Sequence, residues 1–344
     1  MKYNKRTVMV TGGAGYIGSV LVRELLRGGY RVKVFDKLYF GREPLADLEK
    51  KIELIQGDVR QFPASVLKGV YAVIHMGSLS NDPTADFDPK ANHEINCIGT
   101  VRVAEACKKA GVKRMTLASS AAVYGFHVDS IADEKFRTNP QSEYAQSKLD
   151  AEKALLKLAG KNFCPVILRQ ATVYGFSKRM RWDLVVNTMT KDAFSKNKIF
   201  VYCAGDSWRP LVSALDVARA HIECIEAPES KVKGEIFNVV YKNFRILELA
   251  HWIKDALKEK LRNVDIEVQF GTVESRSYRI SGDKIKDALG FEPKLSVEAA
   301  AREILSVLQK GKYNDFSNPI YYNINWMKQL VEMEEKLKTI GKVF

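Results

Sequence analysis

Short runs of apolar residues alternate with longer stretches of helical spacing in the first half of the chain. The short runs cover residues 8–10, 31–36, 52–55, 72–75, 114–118 and 164–168. Runs of this length, rich in Val and Ile, are typical of buried parallel strands, whereas the stretches at 91–110 and 143–159 repeat apolar residues at helical intervals. The alternation predicts an α/β fold with a doubly wound parallel sheet of the Rossmann type.

This alternation weakens after about residue 176, which indicates a second, smaller unit. The segment 210–217 has the pattern of a return to the domain of the sheet, and helical patterns follow near 246–260, 283–289, 297–310 and 323–341. No Pro/Ser-rich linker separates the two parts of the sequence, so we expect them to be interwoven. The predicted division is a Rossmann domain of 1–176 plus 206–245 and a substrate-binding domain of 177–205 plus 246–344. The last helix is expected to pack on the outside or on a partner subunit.

A glycine-rich turn follows the first apolar run. Its glycines have the spacing of a dinucleotide-binding turn, which needs one glycine for the tight turn, one for the approach of a diphosphate and one for close packing of helix on strand. The helix that starts there favours phosphates at its N-terminus. The predicted cofactor contacts in this turn are Gly12, Gly15, Tyr16, Ile17 and Gly18.

Asp36 ends the second predicted strand. An acid at this position accepts hydrogen bonds from the ribose hydroxyls of an adenosine and repels a 2′-phosphate. We therefore expect NAD rather than NADP as the cofactor.

Composition narrows the classes of partner. Of the 344 residues 46% are hydrophobic, yet no run approaches the roughly 20 apolar residues of a membrane span, so no membrane association is expected. The net charge of +13 is spread over helix surfaces without a continuous basic run, which argues against nucleic acid but would attract a dianionic nucleotide-diphosphate sugar. The five cysteines and five histidines show no metal-ligand spacing, so we expect no metal and free thiols in a reducing cytoplasm.

A second motif carries acid–base chemistry. Tyr144 and Lys148 are four residues apart, so both lie on one face of the predicted helix. An ammonium beside a phenol favours the phenolate and is expected to lower the pKa of Tyr144 toward the working pH, which would make it a general base. Ser120 follows a predicted strand and is expected to hold the substrate hydroxyl and share its proton.

The joint occurrence of these motifs resembles the extended short-chain dehydrogenase/reductase family, and within it the nucleotide-sugar epimerase and dehydratase group. The resemblance covers nearly the whole chain and rests on these segments: 11–18, 57–60, 75–78, 96–100, 119–120, 124–125, 144–148, 169–175 and 209–212. It implies that Asp58 and Val59 lie at the adenine and that Met76 and Gly77 lie beside the cofactor phosphates and ribose. It also implies a catalytic set of Ser120, Tyr144 and Lys148, in which Lys148 holds the nicotinamide ribose.

Departures from the family pattern are also informative. Relatives that dehydrate the sugar carry an Asp-Glu pair directly after the catalytic Ser or Thr, whereas this chain has Ala121 and Ala122. The resemblance therefore argues against a dehydratase. Thr172 stands where many relatives use Asn to touch the sugar or phosphate, which leaves the identity of the sugar open.

The resemblance also implies substrate contacts. Arg209 and Arg276 match arginines that clamp the substrate diphosphate, and a planar guanidinium suits that role. Asn187 is a further candidate for contact with a phosphate or base, Thr172 for contact with the sugar, and the segment 180–182 is expected to shape the sugar pocket.

The expected function is an NAD-dependent epimerase that acts at C4 of a nucleotide-diphosphate sugar through a 4-keto intermediate. An NAD(P)-dependent 4-dehydrogenase or 4-ketoreductase would use the same residues, and a non-catalytic NAD-sensing regulator could use the same fold. The family resemblance implies a homodimer through the helices at 91–110 and 143–159. The sequences of the two helices permit this interface, because each helix has apolar residues in addition to those of one buried face: Val101, Ala104, Cys107, Ala151, Ala154 and Leu158.

Overall fold

The central feature of the computed structural model, which describes residues 6–127, 129–271 and 277–341, is a sheet of seven parallel strands. Its spatial order, β3-β2-β1-β4-β5-β6-β10, is that of a doubly wound sheet with one added edge strand. The strands are β1 Thr7–Thr11, β2 Arg31–Asp36, β3 Ile52–Gln56, β4 Val70–His75, β5 Arg114–Ser120, β6 Cys164–Gln170 and β10 Ile236–Val239. All six apolar runs that predicted strands lie in this sheet, so the predicted fold class is confirmed.

Helices cover both faces of the sheet. The α-helices of the described residues are α1 Tyr16–Arg27, α2 Asp82–Phe87, α3 Pro89–His93, α4 Gly99–Lys109, α5 Glu143–Lys157, α6 Val185–Lys196, α7 Ala214–Glu226, α8 Glu229–Val232, α9 Ile246–Leu257, α10 Asp283–Leu289, α11 Val297–Gln309 and α12 Asn323–Ile340. Short 3-10 helices lie at Glu43–Leu48, Val59–Gln61, Ala64–Leu67, Ala121–Tyr124, Cys203–Gly205 and Pro319–Tyr321. Helices α1 and α7 pack on one face, and α4 and α5 on the other. None of the described helices is both long and apolar enough to span a membrane.

Two small sheets lie outside the main one. β7 Thr172–Tyr174 pairs in parallel with β9 Trp208–Ser213, which pairs antiparallel with β11 Lys242–Arg245. β8 Lys198–Tyr202 pairs with β12 Asp265–Gln269. The strand of the segment 210–217 pairs outside the main sheet, whose edge beside β6 is occupied by β10. Only the following helix, α7, packs on the main sheet.

The predicted helix at 91–110 is divided by a π-helical turn, Glu94–Ile98, between α3 and α4. Asn96 in this turn is buried, and its amide nitrogen donates to the Leu79 carbonyl at 3.0 Å and to Ser147 Oγ at 3.1 Å. The Leu79 backbone N–H donates to Asn96 Oδ1 at 2.8 Å. π-helical turns are frequent at functional sites, and this one ties the loop after β4 to α5.

The proposed contact residues of a dimer are largely inside the monomer. Ala104, Cys107 and Ala151 are 0% exposed and pack between α4, α5 and the sheet. The argument that they extend beyond one buried face is therefore wrong, because α4 and α5 pack against each other as well as on the sheet. Val101, Ala154 and Leu158 are half-buried.

The C-terminal helix packs on its own chain. Trp326 of α12 donates from its indole N–H to the Tyr39 carbonyl at 2.5 Å, and Met327 packs beside the loops after β2 and β4. Asn323 donates to Ser80 Oγ at 2.9 Å. This helix was expected on the outside of the fold or on a partner subunit. The structure shows its first turns packed against the loops at the carboxyl end of the sheet.

The burial of Ala104 generates a stability prediction. Ala104→Glu should lower the free energy of unfolding by about 3–5 kcal/mol, because it places an unpaired charge in the core. Urea unfolding followed by circular dichroism measures this, and Ala110→Glu at the exposed end of α4 is the matched control, with an effect below about 1 kcal/mol. A loss that disappears at high protein concentration would instead locate Ala104 at an interface between subunits.

Candidate active site

The glycine-rich turn has the close contacts that its sequence predicts. Gly12 has φ +70°, and a Cβ there would lie 2.8 Å from the Gly77 nitrogen. A Cβ on Gly18 would lie 2.1 Å from the Gly12 carbonyl oxygen, so both positions exclude any side chain. Gly15 is the residue before α1 and lines the cavity described below. The amides of the first turn of α1 are thus exposed to a ligand without an intervening side chain.

Asp36 lies at the carboxyl end of β2, beside this turn. Its carboxylate accepts from the Ala14 N–H at 2.9 Å and from the Leu38 N–H at 2.7 Å. Burial raises the pKa of Asp36, while these two backbone hydrogen bonds oppose the rise. Since Asp36 also lines the cavity, its remaining lone pairs can accept from the hydroxyls of a ribose.

A cavity extends along the carboxyl ends of β1, β2 and β4. Five of the predicted cofactor residues line it: Asp36, Asp58, Val59, Met76 and Gly77. The Asp58 carboxylate accepts from Arg60 Nη2 at 2.7 Å, and this hydrogen bond lowers the pKa of Asp58 to about 2. Asp58 is therefore an ionised hydrogen-bond acceptor at neutral pH.

A second cavity continues from the first past the glycine-rich turn to the ends of β5 and β6. Seven residues line both: Gly12, Gly15, Phe40, Met76, Ser78, Ser80 and Asn323. The predicted residues in the second cavity include Tyr16, Ile17, Gly18, Ser120, Tyr144, Lys148 and Thr172. The structure therefore brings the nucleotide-binding turn and the Tyr-Lys motif into one continuous groove.

Lys148 is a buried cation. It is 3% exposed, and its ammonium donates to the Ala118 carbonyl at 2.9 Å and to Ser78 Oγ at 3.0 Å. Burial lowers the pKa of Lys148 to about 8, and the Glu152 carboxylate opposes the decrease. The Ala118 contact ties the ammonium to β5, and the Ser78 contact places it beside the loop after β4, where the ribose of a bound dinucleotide would lie by the family resemblance.

Tyr144 does not have the expected lowered pKa. Burial raises the pKa of Tyr144 to about 12, although a hydrogen bond with the Ser120 side chain opposes the rise. The Lys148 ammonium lies 5.8 Å from the centre of the Tyr144 ring and donates to other acceptors. The prediction that Lys148 lowers this pKa is therefore wrong for the ligand-free structure, because desolvation of the phenolate dominates.

The catalytic helix is tied to the sheet by a buried ion pair. Glu152 is 1% exposed and lies one turn after Lys148. It accepts from Arg169 Nη2 of β6 at 2.7 Å and from Ser119 Oγ of β5 at 2.5 Å. Arg169 also donates to Tyr124 Oη at 3.0 Å. Because Ser119 and Ser120 are adjacent, this network sets the position of β5 relative to α5.

Two predicted substrate residues lie apart from the groove, and a third cannot be described. Asn187 is 0% exposed; its amide donates to Tyr16 Oη and to the Arg181 carbonyl, both at 3.0 Å, and accepts from the Gly175 N–H. Asn187 therefore braces the packing beneath Tyr16 rather than facing the groove. Arg209 donates to the carbonyl of the preceding residue, Trp208, at 3.0 Å and does not line either cavity. Arg276 lies outside the described residues.

Several lining residues were missed by the sequence analysis. Arg179 and Arg181 line the second cavity, whereas Met180 and Trp182 between and after them are 1% exposed in an aromatic cluster. Of the segment 180–182, which is expected to shape the sugar pocket, Arg181 lines the second cavity and the other two residues do not. Alternation of charged and apolar residues in 179–182 was the available signal for an extended segment. Nothing in the sequence pattern indicated that Asn323 of α12 would reach the groove.

Metal-ligating side chains do not cluster in the part of the chain that the structure describes. No group of three or more His, Cys, Asp or Glu side chains within the described ranges has the geometry to hold a metal ion. Burial lowers the pKa of His75 to about 3, which leaves it neutral, and its two ring nitrogens contact Thr11 and Thr100.

Comparison with known proteins agrees with this geometry. A family model described as the NAD dependent epimerase/dehydratase family matches residues 8–239. The UDP-glucose 4-epimerase of Lactobacillus helveticus is 28% identical over 317 residues, which cover 83% of this chain and 92% of that protein. Two solved structures, the UDP-glucose 4-epimerase of Thermotoga maritima with UDP-glucose and MoeE5 in complex with UDP-glucuronic acid and NAD, are each 25% identical to this chain. Each has a TM-score of 0.77 and covers 89% of this chain and 99% of its own.

Burial of Lys148 predicts a pH-dependent cost in the cofactor-free protein. A lysine with a folded pKa near 8 and an ordinary unfolded value of 10.5 destabilises the fold fully below pH 8, and this cost disappears as the pH rises to 10.5. We therefore compare the unfolding free energy of Lys148→Met with that of the wild type at each pH. This difference should be roughly 3 kcal/mol more favourable to the variant at pH 7 than at pH 10.5.

Urea unfolding of both proteins at the two pH values measures this difference. Lys153→Met, at an exposed position on the same helix, is the control for loss of a surface lysine. A difference that stays constant with pH would show that Lys148 is not a desolvated cation.

Proposed function

The chain belongs to the NAD-dependent epimerase/dehydratase family, and we propose that it is an epimerase acting at C4 of a nucleotide-diphosphate sugar. The observation that carries the proposal is the presence of Ser120, Tyr144 and Lys148 in the same groove as the glycine-rich turn. A dinucleotide held at the turn would extend toward these three side chains. The curated relative that acts as a UDP-glucose 4-epimerase supports the choice of reaction.

NAD fits the donors and acceptors of the groove. The N-terminus of α1, which borders the groove at Tyr16 and Ile17, suits a diphosphate, and Asp36 and Asp58 supply acceptors at the adenosine end. Lys148 supplies a donor for the ribose at the other end. When bound, NAD would supply a reversible hydride acceptor and a positively charged ring near the phenol of Tyr144.

Tyr144 and Ser120 would handle the proton of the C4 hydroxyl. In the proposed reaction Tyr144 takes this proton as C4 becomes a ketone, and Ser120 donates a hydrogen bond that stabilises the phenolate. The keto sugar then rotates within the groove, so that the hydride held by bound NAD would return to the opposite face of C4 while Tyr144 returns the proton to the C4 oxygen. A pKa of about 12 in the ligand-free enzyme means that the positive charge of the cofactor and of Lys148 must favour the phenolate during turnover.

A dehydratase would need a further acid and base beside Ser120. Ala121 is buried and Ala122 lines the groove, so neither position supplies a carboxyl group. The nearby Asp183 carboxylate is already bound by Arg181 in two hydrogen bonds of 2.8 Å. This arrangement favours an epimerase over the dehydratases of the family.

Substrate contacts, domain division, assembly and location complete the proposal. We place the substrate-binding domain at 177–205 plus 246–344, with Thr172 at the sugar and Arg209 and Arg276 as candidates for contact with the diphosphate of the substrate. We further propose a cytoplasmic homodimer. Buried free thiols such as Cys107 and Cys224 agree with a reducing compartment, and light scattering would test the dimer by mass.

The decisive experiment supplies UDP-glucose or UDP-galactose to the NAD-loaded enzyme and follows their interconversion by anion-exchange chromatography. We expect both directions to reach the same equilibrium without net NADH. Tyr144→Phe should reduce turnover by about 10²–10⁴-fold, because it removes the base and little contact area. UDP-N-acetylglucosamine and UDP-glucuronic acid extend the panel if neither hexose reacts.

The alternatives give different results in the same experiment. Stoichiometric NADH together with a released keto sugar would identify a 4-dehydrogenase, and turnover only from a 4-keto sugar with NADH would identify a 4-ketoreductase. Wild-type turnover by Tyr144→Phe would contradict the proposed chemistry. Redox-dependent NAD binding without turnover of any sugar would favour a regulator.

Cofactor preference gives a separate prediction. The enzyme should bind NAD more tightly than NADP, because the Asp36 carboxylate would meet the 2′-phosphate. Calorimetric titration of the cofactor-free protein measures both affinities, and Asp36→Asn should narrow the gap between them. Equal binding of the two cofactors by the wild type would refute the role of Asp36.

A further inference from the structure

Arg179 is a buried guanidinium between the two halves of the groove. It is 5% exposed, and its Cζ lies 3.7 Å from the centre of the Phe40 ring. Its Nη2 donates to Asn323 Oδ1 of α12 at 2.6 Å. Arg179 and Asn323 both line the second cavity, so the stacked guanidinium is accessible to a ligand in the groove.

The charge of Arg179 lacks a counterion in the ligand-free protein. Among the described residues no carboxylate forms an ion pair with it, and its buried Nε has no hydrogen-bond acceptor. The nearby Asp183 is bound by Arg181 at 2.8 Å. Burial, together with the positive charge of Arg181, lowers the pKa of Arg179 to about 9. A buried cation of this kind is costly unless an anion compensates it.

The segment that carries Arg179 packs on the first turn of α1. Ser177 Oγ donates to the Tyr16 carbonyl at 2.7 Å, and the Arg179 N–H donates to Ser177 Oγ at 3.3 Å. Gly15, at the start of α1, and Arg179 line the same cavity. Two features that attract anions, the N-terminus of a helix and an uncompensated guanidinium, thus converge there.

We propose that Arg179 binds the diphosphate of the dinucleotide cofactor opposite the N-terminus of α1, and that Asn323 positions its guanidinium. Arg179 completes a phosphate site that the glycine-rich turn alone does not reveal. The inference depends on the proposed use of NAD but not on the sugar or on the reaction at C4. Asn323 is a positioning residue, because its amide also donates to the Ser80 carbonyl and Oγ at 3.2 and 2.9 Å.

The diphosphate of a sugar nucleotide has the same chemistry, and position decides between the two. Phe40, on which Arg179 stacks, lines both cavities. Asn323 also lines both cavities, at the section that joins the adenosine end to the Tyr144 end. In an extended dinucleotide the diphosphate occupies the middle section, which is where Arg179 lies.

The test measures cofactor binding without any sugar. Arg179→Gln retains a donor for Asn323 but removes the charge, and we expect it to weaken NAD and ADP-ribose binding about ten- to hundredfold in calorimetric titrations of the cofactor-free protein. Arg179→Lys should recover part of this loss, since an ammonium still binds phosphate. Arg302→Gln, at an exposed position on α11, is the matched control and should bind NAD as the wild type does.

Two further ligands distinguish a cofactor site from general damage and from a substrate site: adenosine, which has no phosphate, and UDP. Adenosine affinity should be the same in Arg179→Gln and the wild type, and so should UDP affinity of the enzyme. Equal losses for adenosine and NAD would mean general damage to the groove, and loss of UDP binding with unchanged NAD binding would assign Arg179 to the substrate; either result overturns the inference. Asn323→Asp should weaken NAD binding by pairing with Arg179 and adding negative charge, and unchanged binding would remove Asn323 from the site.

An inactive enzyme that binds NAD as described would refute the proposed reaction and support this inference. An active epimerase in which Arg179→Gln leaves NAD affinity unchanged would refute this inference and support the proposed reaction. Each proposal can therefore be refuted without the other.

Discussion

The buried ion pair between Glu152 and Arg169 is the contact on which the geometry of the reaction centre depends. It joins α5, which carries Tyr144 and Lys148, to β6, and through Ser119 it also joins α5 to β5, which ends at Ser120. Removing one partner would leave the other charge buried and unpaired, which typically costs 3–5 kcal/mol. Because breaking the pair is costly, α5 stays in a defined position on β5 and β6. The relative positions of the three proposed catalytic side chains follow from this arrangement of the helix and the two strands.

A second theme is the unequal compensation of positive charge along the groove. Lys148 is held by a carbonyl and a hydroxyl, with Glu152 one turn away, whereas Arg181 is neutralised directly by Asp183. Within the described part of the chain, Arg179 contacts an amide oxygen and an aromatic ring but forms no ion pair with a carboxylate. Uncompensated cations are costly in the ligand-free protein but favour binding of a dianionic ligand, because the ligand supplies the missing charge.

The C-terminal helix gives the groove a wall that the central sheet does not provide. Asn323 contacts both Arg179 and Ser80, and Trp326 donates to the backbone after β2. These contacts join residues separated by more than 140 positions in the chain to the loops that follow β2, β4 and β7. The region beyond the seven-stranded sheet thus contributes to the proposed cofactor site as well as to the substrate side.

Local patterns were sufficient for the elements whose causes are local. The apolar runs determined the strands of the main sheet, the glycine spacing determined a turn that tolerates no Cβ at Gly12 or Gly18, and the spacing of Tyr144 and Lys148 put both on one helical face. The tertiary structure alone decided what depends on distant partners. The Asn187 amide is used inside the fold by Tyr16 and Gly175. The strand at 208–213 pairs with β7 and β11, while β10 occupies the edge of the main sheet beside β6. Ala104 lies in the core because α5 packs against α4. Desolvation likewise reversed the expected pKa shift of Tyr144, since burial depends on the whole fold and has no signature in residue spacing.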